Sequence, residues 1–212
     1  APPFATSTLQ QEAANKLKFS AKQTMQIAQQ LYEGVEIDAE GSIGLITYMR
    51  TDSLNIAAEA LAQIGEYIKE KIGVNYALPA PKFYKTKSKG AQEAHEAIRP
   101  TDIWREPEKI KNYLTSQQFK LYNLIWKRAL ACQMAPAILS ILTVDIGAVP
   151  LQSTQSPQFL FRATGTQIKF DGFLRLYSGK INEITLPPLD EKEKLDLVKL
   201  DALQHFTQPP AR

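Results

Sequence analysis

Tyr48 and Arg50 stand two residues apart in GLITYMRTDS (44–53), where the short apolar run Leu45–Ile46 gives way to Arg50, Thr51, Asp52 and Ser53. On an extended backbone this spacing points both side chains to the same side. A tyrosine hydroxyl titrates at about 10 in water and is a weak nucleophile at neutral pH unless helped. A guanidinium stays charged and offers a fork of N–H donors. Together the two groups suit attack on a phosphodiester: the cation favours the phenolate and neutralises the oxygens that gain charge in a pentacovalent transition state. The same residues also fit a plainer reading, a half-buried aromatic at a strand end with its hydroxyl in water.

A second stretch, AQEAHEAIRP (91–100), places His95 between Glu93 and Glu96 with Arg99 one helical turn on. Such a pair can present two donors to one phosphate, or the imidazole can shuttle a proton near neutral pH. A histidine among carboxylates is also an ordinary surface residue. His205, in LQHFT, reads as structural. With His95 and His205 as the two histidines and Cys132 as the single cysteine, the sequence holds no paired metal-ligand motif. Neither a GxxxxGK or GxGxxG phosphate loop nor a GxSxG elbow occurs.

The elements that must carry these residues are helical at first. TSTLQQEAANKLKF and SAKQTMQIAQQLYEG each open on a capping-box spacing, Thr8 to Gln11 and Ser20 to Gln23. Met25, Ile27, Ala28, Leu31 and Tyr32 keep helical spacing, and Gly34 ends the second helix. The loop VEIDAEGSIG leads to the Leu45–Ile46 strand. With Asp52 or Ser53 as cap, SLNIAAEALAQIGEYIKEKIG puts Ile56, Ala60, Ile64, Ile68 and Ile72 on one stripe, with Gly73 beyond the end. VNYALPAPKFYKTKSKG reads as an exposed, mobile loop and AQEAHEAI as a short helix stopped before Pro100. After EPEKIKNYL, the helix TSQQFKLYNLIWKRALACQM opens on Thr115 and Gln118.

At Pro136 the texture changes. AILSILTVDIGA, QFLFRATGTQIKF, GFLRLY and KLDLVKLDALQHF are β-branched or alternating runs between Gly, Pro and Asp clusters, a strand signature. The expectation is an α+β chain: a helical domain over 1–132, a β-rich domain over 133–206 and the start of a linker over 207–212. APPF and TQPPAR read as cuts in a longer polypeptide.

Composition narrows the class. At 212 residues the chain can bury a real core. One cysteine, with no partner in the chain, points to a reducing compartment, and Cys132 itself reads as a small buried apolar residue. No apolar run approaches the roughly 18 residues of a membrane span and no secretory signal is visible, so a soluble, cytoplasmic protein is expected. The net charge is +3, but 82–128 carries eleven basic residues against five acidic ones, a local +6 that leaves −3 elsewhere. A basic segment in a nearly neutral chain suggests a polyanionic partner, although a solvated lysine face fits too.

PFATSTLQQEAANKLKFSAKQTMQIAQQLYEG, GLITYMRTDS, AQEAHEAIRPTD, LYNLIWKRALACQMAPA and HFTQPPAR, in that order, resemble bacterial DNA topoisomerase I, a type IA enzyme, over nearly the whole chain. The resemblance implies that Tyr48 attacks a phosphodiester of single-stranded DNA and becomes linked to the 5′-phosphate, with Arg50 contacting the scissile phosphate. It implies that His95 and Arg99 hold DNA phosphates and that Gln29 and Glu33 support the site. A winged-helix-like tyrosine domain followed by one part of a β-rich arch is implied as fold. Mg2+, bound by a domain outside this chain, is the implied cofactor, and no metal is expected on the chain itself. Implied partners are single-stranded DNA and the remaining domains of a monomeric, nucleoid-associated enzyme that relaxes negative supercoils; the chain alone is expected to be inactive. Two other classes stay open from the residues: a non-catalytic single-stranded nucleic-acid-binding module in which Tyr48 stacks on a base, and a hinge that does not touch DNA.

Overall fold

The computed structural model describes residues 1–85, 95–148, 159–177, 181–201 and 203–207. Two compact units are present: Ala1–Ile141 with Thr166–Glu183, and Leu142–Gly165 with Ile184–Arg212. Helices and small sheets coexist in one chain, an α+β composition.

The first unit is built on α1 (Thr6–Leu17), α2 (Ala21–Glu33), α3 (Ala58–Tyr67, prolonged by a π turn Ile68–Ile72) and α4 (Ser116–Ala131). α4 lies against both α1 and α2 and is the most buried helix, with Leu121, Tyr122, Ile125, Trp126, Ala129 and Leu130 in the core. Tyr67 stands edge-on to Trp104 and Trp126, with ring centroids 5.1 and 5.5 Å away. The polar ends of the buried rings reach backbone oxygens: Trp126 Nε1–H donates to Ile103 O at 2.9 Å and the Tyr122 hydroxyl to Arg105 O at 2.8 Å. Buried Tyr and Trp keep their stability this way, because an unpaired polar tip would incur a desolvation cost. Cys132 is buried at the end of α4, and burial pushes its thiol up to about 11.

Local chemistry sets the helix ends. Ser20 Oγ accepts the Gln23 N–H at 3.2 Å, and Thr115 with Gln118 forms a complete capping box at 3.2 and 2.9 Å. Gly34, at φ +132, ends α2, and a Cβ there would lie 2.4 Å from Ser42 Oγ. This turn feeds the antiparallel pair β1 (Val35–Glu36) and β2 (Ser42–Ile43).

Several expectations give way to tertiary hydrogen bonds. α1 starts at Thr6, not from a Thr8–Gln11 box: Thr8 Oγ1 accepts the N–H of the cap Ala5 at 3.0 Å, so Thr8 itself fills the third helical position. α3 starts at Ala58 instead of after Asp52 or Ser53. The Thr51 and Ser53 hydroxyls accept N–H groups two residues on, from Ser53 at 3.0 Å and Asn55 at 3.1 Å, which holds the backbone in turns. Ile56, Ala60, Ile64 and Ile68 are nonetheless buried as the stripe requires. No helix forms over His95–Ile98; this segment is extended, with Ile98 bridging Phe4 and Pro100 bridging Ile46, while 91–94 lie outside the described residues.

The stretch after Gly73 is held down rather than loose over 74–85. Ala77 bridges Met134, the Gln133 side chain brackets the Lys82 backbone with two 2.9 Å bonds, and the Tyr84 hydroxyl donates to Cys132 O at 2.7 Å. Residues 86–90 lie outside the described residues. Two of the four expected strands form: β3 (Ile138–Ala148) pairs with β4 (Phe159–Phe170). GFLRLY is instead a 3-10 turn, Gly172–Arg175, followed by Leu176 and Tyr177, which pack on the helical core with Phe173. Apolar burial there outweighs strand propensity. KLDLVKLDALQHF forms no strand among its described residues; Leu197, Val198, Leu200 and Phe206 are exposed and find no sheet partner, and His205 lies in this exposed segment. In the second unit, Arg162 pairs in two-pronged fashion with Asp145 across the β3–β4 ribbon, at 2.7 and 2.9 Å.

Candidate active site around Tyr48

The residues around Tyr48 form a strap tied down on both sides. Leu45 and Ile46 are both buried, and from Tyr48 to Ser53 the side chains alternate between solvent and core, with Met49, Thr51 and Ser53 inside. Leu45 N–H donates to Leu31 O at 2.7 Å, and a Cβ on Gly44 would come within 2.7 Å of Tyr32 O; the strap presses that closely against the end of α2. Thr47 N–H donates to Arg99 O at 2.9 Å, the Thr47 hydroxyl donates to Ala97 O at 2.7 Å, and Arg99 N–H donates back to Thr47 Oγ1 at 3.0 Å. On the far side, the Thr6 hydroxyl donates to Met49 O at 2.7 Å and accepts the Thr51 N–H at 2.8 Å. Tyr48 thus rides on a backbone pinned one residue before it and one residue after it.

Tyr48 remains 40% exposed, and its ring is flanked by two others: Tyr32 edge-on at 5.4 Å and His95 edge-on at 5.8 Å between centroids. Edge-to-face contacts on two sides restrict the ring's rotation. Arg50 is also exposed and lines a cleft of about 780 Å³ together with Gln29 and other side chains of α2. The Gln29 amide is hydrogen-bonded to Glu33 one turn on. Arg99 is oriented differently. Its Nε and Nη2 meet Glu96 Oε2 at 2.7 and 2.6 Å and its Nη1 donates to Pro100 O at 2.9 Å, so the guanidinium is committed to a partly buried ion pair.

The structure therefore brings Tyr48 and His95 into ring contact and places Arg50 on the same cleft as Gln29. It aims the Arg99 side chain at Glu96, while the Arg99 backbone holds Thr47. Glu96 has a second duty, since its Oε1 accepts the Ala57 N–H at 3.1 Å at the start of α3. Tyr32, Thr47, Thr6 and Glu96 are contributors that spacing alone did not single out. Thr47, directly before the tyrosine, carried a signal in hindsight: a threonine in an apolar run needs a partner for its hydroxyl.

Thr6→Val tests the strap. Valine keeps the shape but leaves the Thr51 N–H and Met49 C=O without their partner, a loss of about 1–3 kcal/mol. Chemical denaturation is the measurement, and a change within about 0.3 kcal/mol would show that the strap is held otherwise.

Among the described residues there is no group of three or more His, Cys, Asp or Glu that could hold a metal ion, and no helix long and apolar enough to cross a membrane.

Comparison with known families adds to this geometry. The family model described as DNA topoisomerase matches residues 1–212, the whole chain. The chain belongs to the DNA topoisomerase family. It is 48% identical over 221 residues to DNA topoisomerase 1 of Xylella fastidiosa and 47% identical over 217 residues to that of Rickettsia felis, in both cases over 100% of this chain. It spans 26% and 27% of those proteins, about a quarter of their length. Among solved structures, full-length topoisomerase I of Thermotoga maritima superposes with a TM-score of 0.73 at 40% identity, over 89% of this chain and 29% of that one. In this topoisomerase-family chain the pinned tyrosine, its imidazole neighbour and the nearby guanidinium lie within one unit.

Proposed function

We propose that this chain carries the strand-cleaving tyrosine of a type IA DNA topoisomerase that relaxes negative supercoils. The observation that supports the reading best is Tyr48 itself: an exposed phenol on a backbone clamped by Thr6 and Thr47, in ring contact with His95. Tyr48 Oη attacks a phosphodiester of single-stranded DNA. The Oη–P bond forms, the P–O3′ bond breaks, and a 5′-phosphotyrosine and a free 3′-hydroxyl result. The phenol proton is lost to a base or to water, and the 3′ oxygen gains one. Religation runs the same exchange backwards. Arg50 neutralises the non-bridging oxygens as they gain charge. His95, beside the attacking ring, holds a phosphate by its N–H. Arg99 does so only by exchanging its Glu96 partner for the DNA, and its backbone positions Thr47 in any case.

Departure of a 3′ alkoxide calls for acid or metal assistance, and acid help is typically worth about 10²–10⁴-fold. Mg2+ would supply charge stabilisation there. On this reading the ion is held by residues outside this chain. On the same reading, the helical unit is a winged-helix-like tyrosine domain and the β3–β4 region part of an arch, in a cytoplasmic, nucleoid-associated enzyme acting as a monomer. The 212-residue chain alone is expected to leave negatively supercoiled plasmid unrelaxed in magnesium; gel electrophoresis showing relaxation would overturn that expectation. The reading as a whole is tested by trapping the full-length enzyme on an oligonucleotide and locating the phosphate by mass spectrometry. Phosphate on Tyr48 supports it, and phosphate on any other side chain ends it.

A further inference from the structure

The cleft beside Arg50 has a composition that phosphate binding does not explain. Its volume is about 780 Å³, within the range of about 300–1,000 Å³ usual for ligand sites. Among the described residues, its charged lining is Lys22 and Arg50, and most of the remaining wall is glutamine: Gln23, Gln26, Gln29 and Gln30 from α2 and Gln117 from the first turn of α4. A site for phosphates alone favours lysine and arginine, which donate only. Glutamine amides both donate and accept, the pattern needed to meet the edge of a nucleobase, where Gln pairs in two-pronged fashion with adenine N6 and N7.

The amides also differ in how they are used. Gln29 is bonded to Glu33, and Gln30 accepts from Gln118 at 3.2 Å, which ties α2 to α4. Among the described residues, the side chains of Gln26 and Gln117 make no hydrogen bond within the chain, and both are exposed. Met25 adds a soft apolar surface to the wall, suited to the face of a base. Arg50 joins the cleft to the strap that bears Tyr48.

We infer that this cleft binds the unpaired bases of the DNA strand next to the cleaved phosphate, with Gln26 and Gln117 reading base edges and Lys22 and Arg50 meeting the backbone. The inference rests on the assignment of Tyr48 as the cleaving residue and gives that site a source of sequence preference. It commits to single-stranded DNA with its bases present. A backbone-only grip is the competing outcome.

The test uses the full-length enzyme containing this chain and a set of oligonucleotides with one known cleavage site. A single abasic position is walked along the set, and covalent adduct yield is measured for the unchanged enzyme and for the Gln26→Leu, Gln117→Leu double variant. In the unchanged enzyme, removing one of the bases nearest the cleavage site on one side is expected to lower yield about tenfold. In the double variant, yield on the intact oligonucleotide falls by a similar factor and the same abasic position has no further effect. Equal sensitivity at that position in both enzymes overturns the inference. Should the double variant cleave nothing, the same walk is read by fluorescence anisotropy, where an unchanged abasic penalty on affinity overturns it equally. Failure of the Tyr48 assignment is separate, since it appears as a phosphate on another residue whatever the abasic profile.

Discussion

Tyr48→Phe in the full-length enzyme is expected to abolish covalent protein–DNA adducts, with none visible on denaturing gels, while stability stays within about 0.5 kcal/mol of the unchanged protein. The two halves of this expectation have separate physical grounds. Adduct formation needs an oxygen to bond to phosphorus, and phenylalanine has none. Stability is insensitive because Tyr48 is 40% exposed and its ring contacts are the edge-on packing against Tyr32 and His95, which a phenyl ring preserves. The same substitution separates the rival functions. A module that stacks Tyr48 on a base needs the ring and not the hydroxyl, so there Tyr48→Phe is harmless and Tyr48→Ala damaging. Adducts that persist in Tyr48→Phe would move the nucleophile elsewhere.

The largest effect on stability is expected far from the chemistry, at Phe4→Ala, which should cost about 3–5 kcal/mol. Phe4 is fully buried, and the Arg128 guanidinium sits over its ring at 4.9 Å while Arg128 Nε donates to Pro2 O at 2.7 Å. Removing the ring leaves a cavity and strips a mostly buried cation of part of its cover. The loss reaches the site through the backbone: Phe4 O, which the substitution keeps, accepts the Ile98 N–H at 2.8 Å, so a loosened N-terminal segment loosens the anchor of His95 to Arg99. Phe4→Leu retains most of the apolar volume and should cost far less. Urea denaturation measures both; an alanine variant within about 1 kcal/mol of the unchanged protein would mean that the N-terminal segment is not part of the cooperative core.

Much of the helical framework was legible because its determinants are local. Ser20, Thr115 with Gln118, Gly34 and Gly73 act within one turn of themselves, and the isoleucine stripe of α3 is a periodicity that survives whatever it packs against. Errors fell where a hydroxyl or a backbone group had a distant partner. Asp52 or Ser53 looks like a helix cap, but the Thr51 and Ser53 hydroxyls hold turns and α3 waits until Ala58, with Glu96 capping Ala57. AHEAI has helical spacing, yet from His95 to Ile98 it is extended, since its backbone bonds go to Phe4, Thr47 and Asn55 instead of its own next turn. GFLRLY has strand composition and folds as a turn because Phe173, Leu176 and Tyr177 find apolar cover on the helices.

Residue types and their spacing show which side chains have the chemistry: a phenol and a guanidinium two residues apart, a histidine in a second segment, and a helix that ends at Gly34 ahead of them. Their relations come from the folded chain. It set His95 against the Tyr48 ring, turned Arg99 to Glu96, put Arg50 in a glutamine-lined cleft and recruited Thr6 and Tyr32 to the site. The reason is one of range. Capping and periodicity act over three or four residues, whereas each of the latter contacts joins residues far apart in the chain or depends on which competing partner a charged group finds once the core has closed.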